Sequence, residues 1–399
     1  MSVNYLWKNS NAFIQNIDRQ YDDSFAVNGA KIGTSLRIRL PNDYTVRTGP
    51  AASVQDTSEQ STTLVVATQN GVDVAFNSSD RTMKMDDYSE RVLAPAINNL
   101  AGEVAASVMQ GSEGGVCNFE ANFDGSGAII APVATTYLNA KANLSTNSAP
   151  NMRRKVVNSP YTDARVVSSL AGLFNPNAKI SEQYSSGMMR GEALGFDWME
   201  DQTVISHETG TFTAGTVAGA DQSGTTLTVN AITGTLNAGD IITIDNTFAV
   251  NRITKRSTGR LRQFAITADA GNGATSLSIY PAIIGGVDNG SGGVTPVQYQ
   301  TVLLPPENGA AINLVNNPGE IYTKNIGFAP EAVTMATADL ILPEKGIVEG
   351  AREAFDDVSM RMITAYDVGT DQLITRLDVL WGSLWVRPEW ACIVADAST

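Results

Sequence analysis

The side chains on which an enzyme could rely are few in this sequence. His207 is the single histidine, so any imidazole mechanism would depend on it. It stands in the polar stretch Ser206-His207-Glu208-Thr209-Gly210, and one imidazole without partners in the sequence defines no mechanism. We therefore interpret His207 as a loop histidine that makes ordinary hydrogen bonds.

Pairs of acidic residues are the next candidates for chemistry. Glu200-Asp201 and Asp86-Asp87 could in principle serve a carboxylate hydrolase, but a helix cap or a solvated face explains each pair more simply. Residues 118–125 carry several oxygen ligands, yet their register differs from that of a calcium loop. The sequence therefore predicts no catalytic residue and no metal site.

Cys117 and Cys392 are too few for a disulfide framework or a four-cysteine metal site. We interpret them as small buried apolar residues in a reducing compartment. The sequence leaves open whether the two thiols meet.

Phosphate-binding and nucleic-acid-binding signals are weak. The 27 basic and 41 acidic residues give a net charge of −14, which argues against a surface built to bind phosphate backbones. The glycine-rich stretches 271–273 and 290–293 lie between predicted strands and are interpreted as turns. One basic cluster lacks interleaved aromatic residues, and we interpret it as a subunit contact or a guarded strand edge: Arg252, Lys255, Arg256, Arg260 and Arg262.

Length and composition limit the fold class. A chain of 399 residues with 43% apolar and only 17% charged residues predicts two or three folded domains with a β-rich composition. Residues 1–20 lack the apolar run of a signal peptide, and the apolar stretch 128–134 is far shorter than the ~20 residues of a membrane helix. We expect a protein that is made in a cytoplasm and that stays soluble or assembles there.

Apolar spacing predicts the elements of the first 110 residues. Phe13, Ile14, Ile17 and Tyr21 allow a short amphipathic helix, and residues 32–40 alternate as a strand. Residues 64–68 and 72–76 predict a hairpin, because Asn70-Gly71 between β-rich runs is typical of a tight turn.

The spacing of Leu93, Ile97, Leu100, Val104 and Val108 predicts a long helix over 86–110. Three acidic residues near its start suit the helix dipole, and Pro95 should bend its first turns. The acidic residues are Asp86, Asp87 and Glu90.

Residues 111–210 combine predicted helices over 135–144, 162–173 and 180–189 with strands at 154–157 and 195–198, which is an α+β pattern. Composition then changes: residues 211–300 contain no glutamate and are rich in threonine and glycine. We predict a separate all-β module inserted between residues 212 and 302.

The last hundred residues return to mixed character. Pro330 predicts the start of a helix that continues through 332–336. Strands are predicted over 360–366 and 373–380, followed by a second pair over 384–386 and 390–394. Three tryptophans near these strands are interpreted as core or interface anchors: Trp381, Trp385 and Trp390.

An arm, a projecting hairpin and a long helix that cannot bury their own apolar faces indicate assembly. The order of these elements resembles the major capsid proteins of tailed bacteriophages with the Hong Kong ninety-seven fold, in the branch of short-tailed phage coat proteins that carry an inserted β-barrel. Four stretches carry the resemblance: the helix Asp86 to Gln110, Ile180 to Asp197 before the strand and turn 203–210, Leu236-Asn237-Ala238-Gly239-Asp240-Ile241 through Asn251-Arg252, and Arg376 to Val394 with Leu380-Trp381-Gly382 and Arg387-Pro388-Glu389.

The resemblance implies an α+β capsid fold with named parts and no catalytic, cofactor or metal site. The implied parts are an N-terminal arm (1–30), an extended loop hairpin (31–84), a peripheral domain with the spine helix (85–134), a first axial part (135–211), the inserted β-barrel domain (212–302), an axial return (303–357) and peripheral C-terminal strands (358–399).

The resemblance also implies a function and partners. Many copies would assemble as pentamers and hexamers into an icosahedral shell around double-stranded DNA, in the host bacterial cytoplasm, with a scaffolding protein and a portal as further partners and no membrane. An acidic wall would let packaged DNA slide, with only non-specific contact. The alternatives are a tail-tube or surface-layer protein and, from another class, a β-rich hydrolase that uses carboxylates such as Glu200 and Asp201.

Overall fold

A computed structural model describes residues 12–21, 35–47, 49–50, 52, 54–57, 59–77, 93–169, 189, 191–290, 293–343, 349–355 and 358–397. Most of the predicted arm, the acidic residues before the long helix and the predicted helix 180–189, apart from Met189, lie outside these residues. The chain divides into two compact units. The first unit comprises 1–39, 61–109 and 333–386, and the second comprises 40–60, 110–332 and 387–399.

A six-stranded sheet forms the frame of the first unit, in the order β1-β19-β22-β21-β20 with β4 also paired to β22. A separate pair, β2 with β3, packs beside a small apolar cluster around Leu64 and Val66. The strands are β1 Asp18–Tyr21, β2 Ser35–Arg39, β3 Ser61–Val65, β4 Thr68–Asn77, β19 Val333–Ala338, β20 Glu349–Phe355, β21 Val358–Asp367 and β22 Gln372–Trp385.

Helix α1 (Ala94–Gln110) confirms the described part of the predicted long helix. Its buried side includes Ile97, Leu100, Val104 and Val108, four of the five positions that the apolar spacing selected, whereas Leu93 precedes the helix and is half-buried. Pro95 is the second residue of α1, and the residues just before Leu93 lie outside the described ones, so the bend at Pro95 stays a prediction.

An eight-stranded sheet forms the frame of the second unit, in the order β6-β5-β23-β18-β7-β9-β8 with β10 also paired to β18. Helices α2 (Ala134–Thr146) and α3 (Pro160–Ser169) confirm two predicted helices. The strands are β5 Asn118–Phe123, β6 Ile129–Ile130, β7 Lys155–Asn158, β8 Gly191–Ala193, β9 Phe196–Glu200, β10 Ser206–Glu208, β18 Ile321–Phe328 and β23 Ala391–Ala397.

A five-stranded sheet, in the order β11-β14-β13-β12-β17, also belongs to the second unit. It encloses its own apolar cluster, with Phe264, Ile242 and Leu277 fully buried. The sheet strands are β11 Gly224–Thr228, β12 Ile241–Val250, β13 Ser257–Ile266, β14 Ser276–Ile283 and β17 Ile312–Leu314, and a small hairpin consists of β15 Val287–Asp288 and β16 Val294–Thr295.

The predicted hairpin at Asn70-Gly71 is wrong. Both residues lie inside β4, opposite Val379 and Asp378 of β22. Gly71 serves close packing rather than a turn, because a Cβ there would lie 2.7 Å from the carbonyl oxygen of Leu377. Long-range pairing with β22 has replaced the local turn that the dipeptide favours.

The predicted helix after Pro330 is also wrong. Only Pro330–Ala332 form a 3-10 turn, and the chain then continues as strand β19. All six residues of β19 are buried. A strand buried on both faces shows no alternation of apolar and polar residues, so its sequence resembled a helix.

The predicted helix at Phe13–Tyr21 is a 3-10 turn, Ile14–Asn16, followed by β1, which runs parallel to β19. So short an apolar stretch cannot stabilise a helix alone, whereas pairing with β19 satisfies its backbone.

The second predicted C-terminal strand pair does not exist. Residues 384 and 385 end β22, whereas β23 pairs with β18 and β5 in the eight-stranded sheet. The first pair is confirmed, because β21 and β22 form an antiparallel hairpin.

Gly382 offers a test of the packing of β22. A Cβ at Gly382 would lie 2.0 Å from the carbonyl oxygen of Val65, a backbone atom that cannot rotate away. We expect Gly382→Ala to lower the free energy of unfolding of the first unit by about 1–3 kcal/mol or more, measured by chemical denaturation. Gly369→Ala is the control, because the nearest atom is a flexible carboxylate oxygen of Asp367 at 3.3 Å. Equal losses in the two variants would contradict the packing of β22 against Val65.

Candidate functional site

His207 lies on strand β10 rather than in a loop, and only 5% of its surface is exposed. Its Nε2 is 2.9 Å from Oδ1 of Asp240, and its Nδ1 is 3.3 Å from Oε1 of Glu113. The predicted hydrogen bonds are therefore present, but both partners are carboxylates. We call His207, Glu113, Asp240 and Lys324 the His207 cluster.

Asp240 organises the segment that leads into β12. Its Oδ2 accepts hydrogen bonds from the backbone N–H of Asn237 at 2.7 Å and of Gly210 at 3.0 Å. Gly239 precedes it with a positive φ of 97°. A Cβ at Gly239 would lie 3.0 Å from both the His207 ring and the Glu113 side chain, so the close approach requires glycine.

Lys324 on β18 completes the cluster. It is fully buried, and its Nζ has no hydrogen-bond partner within the described chain. Burial lowers the pKa of Lys324 to about 8, although the carboxylates of Glu113 and Asp240 oppose the change. An ammonium group persists in such a place only because anions lie near it.

The pKa values of His207 and Glu113 are also shifted by their neighbours in the cluster. Burial disfavours the imidazolium of His207, but hydrogen bonds to Asp240 and Glu113 outweigh burial and raise its pKa. Burial likewise opposes ionisation of Glu113, but the hydrogen bond with His207 and the charge of Lys324 lower its pKa. The hydrogen bonds thus favour the charged forms of His207 and Glu113.

The acidic pair Glu200-Asp201 lies at the end of β9 and in the turn that follows it. Asp201 is buried, and its Oδ1 accepts hydrogen bonds from the backbone N–H of Thr203 at 2.9 Å and from its hydroxyl at 2.7 Å. Glu200 ends β9, where it stands opposite Asn158. Asp201 therefore fixes a turn.

The oxygen-rich stretch 118–125 also serves the fold. Asn118 donates to the backbone carbonyls of Glu389 and Ala391, and Asp124 closes a turn by accepting from Ser126 and Ala128. Within the described residues, no group of three or more histidine, cysteine, aspartate or glutamate side chains is placed to hold a metal ion.

The residues of the predicted basic cluster contact different partners within the second unit. Arg252 donates to Glu389 at 2.7 Å, Lys255 contacts Asp43, and Arg260 lies 3.8 Å from Glu120. Arg262 is buried and lines two cavities, of about 190 Å³ and 330 Å³. Three of the five cations thus have a carboxylate partner within the subunit, whereas Arg256 is exposed.

Cys117 and Cys392 are both buried and free, as the sequence indicated. Burial raises the pKa of each thiol, which keeps it protonated and unreactive. The tryptophans are anchors: the indole N–H groups of Trp381, Trp385 and Trp390 donate to Asn70, Val108 and Asn147.

Sequence reasoning missed the partners of His207 and a second buried network. Glu113 and Asp240 stand 94 and 33 residues from His207, so no local spacing relates them. In the other network, Asp396 of β23 accepts hydrogen bonds from Thr162 at 2.8 Å and Arg165 at 2.7 Å. Only the three-dimensional strand order brings such residues together.

None of the described helices is long and apolar enough to cross a membrane. The described molecule is a strand-dominated α+β protein.

The sequence matches the P22 coat protein family, "P22 coat protein - gene protein 5", over residues 26–394, and the chain belongs to this family. It is a major capsid protein, whose copies form the icosahedral shell of a tailed phage. No curated protein matches the sequence.

Several solved structures resemble the chain at low identity. The capsid of cyanophage P-SCSP1u is 10% identical with a TM-score of 0.48, covering 98% of this chain and 89% of that chain. The mature capsid of bacteriophage PhiM1 is 10% identical with a TM-score of 0.46, covering 98% and 88%. The capsid of Ralstonia phage GP4 is 8% identical with a TM-score of 0.46, covering 98% and 92%. The family assignment rests on the sequence match alone.

The Asp396 network predicts a measurable stability difference. Asp396→Ala removes a buried carboxylate that accepts from the buried Thr162 and from the partly exposed Arg165, so we expect it to cost about 3 kcal/mol in chemical denaturation. Arg260→Ala breaks a longer ion pair whose arginine is mostly exposed, so it should cost less than about 1 kcal/mol. A small effect of Asp396→Ala would show that the network does not stabilise the second unit.

Proposed function

We propose that this chain builds its shell through the parts that the family resemblance implies, and that its work involves no catalysis. The family match over 26–394 carries the proposal, because it includes strands β2 to β22, the first half of β23 and every described α-helix. Burial of His207 and the use of Asp201 in a turn agree with a non-catalytic role.

In this proposal the chain divides as a capsid subunit of the Hong Kong ninety-seven type. Helix α1 is the spine helix of a peripheral domain, to which the C-terminal strands also belong. Residues 1–30 act as an arm and 31–84 as an extended loop that reaches a neighbouring copy. Strands β11 to β14 lie within 212–302 and form the core of the inserted domain, while β17 of the axial return adds a fifth strand and Ile312 to the same sheet and apolar cluster.

We further propose that copies meet as pentamers and hexamers in the host cytoplasm, where a scaffolding protein and a portal guide closure. Many contacts of modest area would together stabilise the shell. The net charge of −14 favours a wall along which packaged double-stranded DNA can move, since like charges limit adhesion.

The turn between β12 and β13 is a candidate contact between copies. Oδ1 of Asn251 accepts hydrogen bonds from the backbone N–H of Ile253 and Thr254, and Lys255 is anchored to Asp43, so the turn is held in place. Ile253 at its tip is nevertheless 71% exposed. An apolar side chain fixed at the tip of a turn is available for contact with another copy.

We expect Ile253→Asp to leave the stability of the subunit within about 0.5 kcal/mol of the parent and to reduce the yield of assembled particles in gradient sedimentation. Thr254→Asp, at the next exposed position of the same turn, is the matched control and should retain more particles. Equal yields from the two variants would remove this turn from the proposed contacts.

The arm can be tested with two truncations. Phe13, Ile14 and Ile17 are buried, and β1 pairs with β19, so deletion of 1–30 removes packing within the subunit. Deletion of 1–11 spares these contacts. If the arm acts in assembly, both truncations should fail to form normal shells in electron micrographs. Normal shells from the chain that lacks residues 1–11 would show that the arm acts in folding and not in assembly.

A further inference from the structure

Four segments of the second unit meet at the His207 cluster. Glu113 lies on the 3-10 turn Gly111–Gly114, His207 on β10, Asp240 just before β12 and Lys324 on β18. Asp240 belongs to the segment that enters the five-stranded sheet, whereas β10 and β18 belong to the eight-stranded sheet. The cluster is therefore a joint between two sheets of one unit.

The charges of this joint balance in only one state of the histidine. Glu113 and Asp240 supply two negative charges, and Lys324 supplies one positive charge. Protonated His207 brings the total to zero, whereas neutral His207 leaves one buried negative charge uncompensated. In the protonated state, both ring nitrogens can also donate, and each faces a carboxylate oxygen.

Other ionisable groups that surround the cluster serve structural roles. Asp269 accepts a hydrogen bond from the backbone N–H of Ala238, and Glu320 accepts from the N–H of Ile129. The Tyr322 ring lies 5.4 Å from the His207 ring, and burial raises the pKa of its hydroxyl, which therefore stays neutral. The two remaining carboxylates add negative potential and so favour the imidazolium.

We propose that the His207 cluster is a pH-dependent latch, closed when His207 is protonated, that fixes the five-stranded sheet to the eight-stranded sheet. Protonated His207 bridges Glu113 and Asp240, and Asp240 in turn holds Asn237 and Gly210. Loss of the proton removes one of the two donors and leaves a buried excess of negative charge. The latch then loosens.

The pH window follows from the direction of the shift. The pKa of His207 is raised in the fold, so its contribution to stability is complete below the unfolded value of 6.5 and is lost as pH rises through the folded value. Lys324 acts in the opposite sense, because its pKa is lowered to about 8. The free-energy cost of burying the Lys324 ammonium group is greatest below about pH 8 and falls as pH rises toward 10.5. His207 and Lys324 therefore change stability mainly in successive pH ranges.

The solitary histidine permits a direct measurement on the full chain. With ¹³C-labelled histidine, the subunit gives one imidazole Cε1–H signal, whose titration reports His207 alone. We expect a midpoint above 6.5. A midpoint at or below 6.5 in the wild-type chain would overturn the proposal, and this result requires no variant to fold.

Hydrogen exchange measured by mass spectrometry tests whether the contact between the two sheets loosens when His207 loses its proton. The amides of Gly210 and Asn237 donate to Asp240, so their protection, corrected for the intrinsic pH dependence of exchange, should fall as pH rises through the midpoint. The fall should be about tenfold for each unit by which the pKa is raised. Protection without a pH step would also overturn the latch.

Two variants separate the latch from general effects of charge. His207→Gln keeps a hydrogen-bonding side chain but cannot be protonated, so protection of the same amides should be low and show no step. Arg252→Gln breaks an ion pair elsewhere in the unit and should leave both the midpoint and the step unchanged. A step that persists in His207→Gln, or that disappears in Arg252→Gln, would contradict the assignment to His207.

Discussion

Strands β22 and β23 each hold one of the two large sheets together by pairing with distant parts of the chain. Strand β22 pairs with β4, β19 and β21, and β23 lies between β18 and β5. Each of the two large sheets thus has a C-terminal strand at its interior, and neither sheet is continuous without it. Because non-local pairing must offset the entropy of closing long loops, we expect both sheets to form only once β22 and β23 are available to pair.

The same constraint explains which predictions succeeded. Helices α1 and α2 and the hairpin of β21 with β22 depend on local spacing, and apolar periodicity identified them. Asn70-Gly71 and residues 332–336 failed because long-range pairing decided their conformation. The dipeptide became part of β4, and burial on both faces of β19 removed the alternation that identifies a strand.

The contacts of individual ionisable residues were harder to predict from the sequence than the positions of helices and strands. The single histidine suggested hydrogen bonds, which exist, but nothing in the sequence related it to Glu113, Asp240 or Lys324. Those contacts arise from the strand order, which places β10 beside β18 and brings the segment before β12 against them. Asp201 and Asn118 illustrate the same point, because residues that could serve chemistry instead fix a turn and a strand end. The function was recognised from the order of elements, not from a motif.

A shell subunit must keep its own fold rigid and must bind other copies of itself. The buried ion pairs, the tryptophan anchors and the apolar cluster of the five-stranded sheet supply rigidity. That geometry rather than reactivity is the task of this protein can be checked by electron cryomicroscopy of particles formed by the full chain, expressed with and without the products of the neighbouring phage genes. Closed icosahedral shells of one repeated subunit, with β22 and β23 inside its two sheets, are expected when those products are present. Open tubes or flat lattices under both conditions, or a chain that stays monomeric throughout, would show that this view of the protein is wrong.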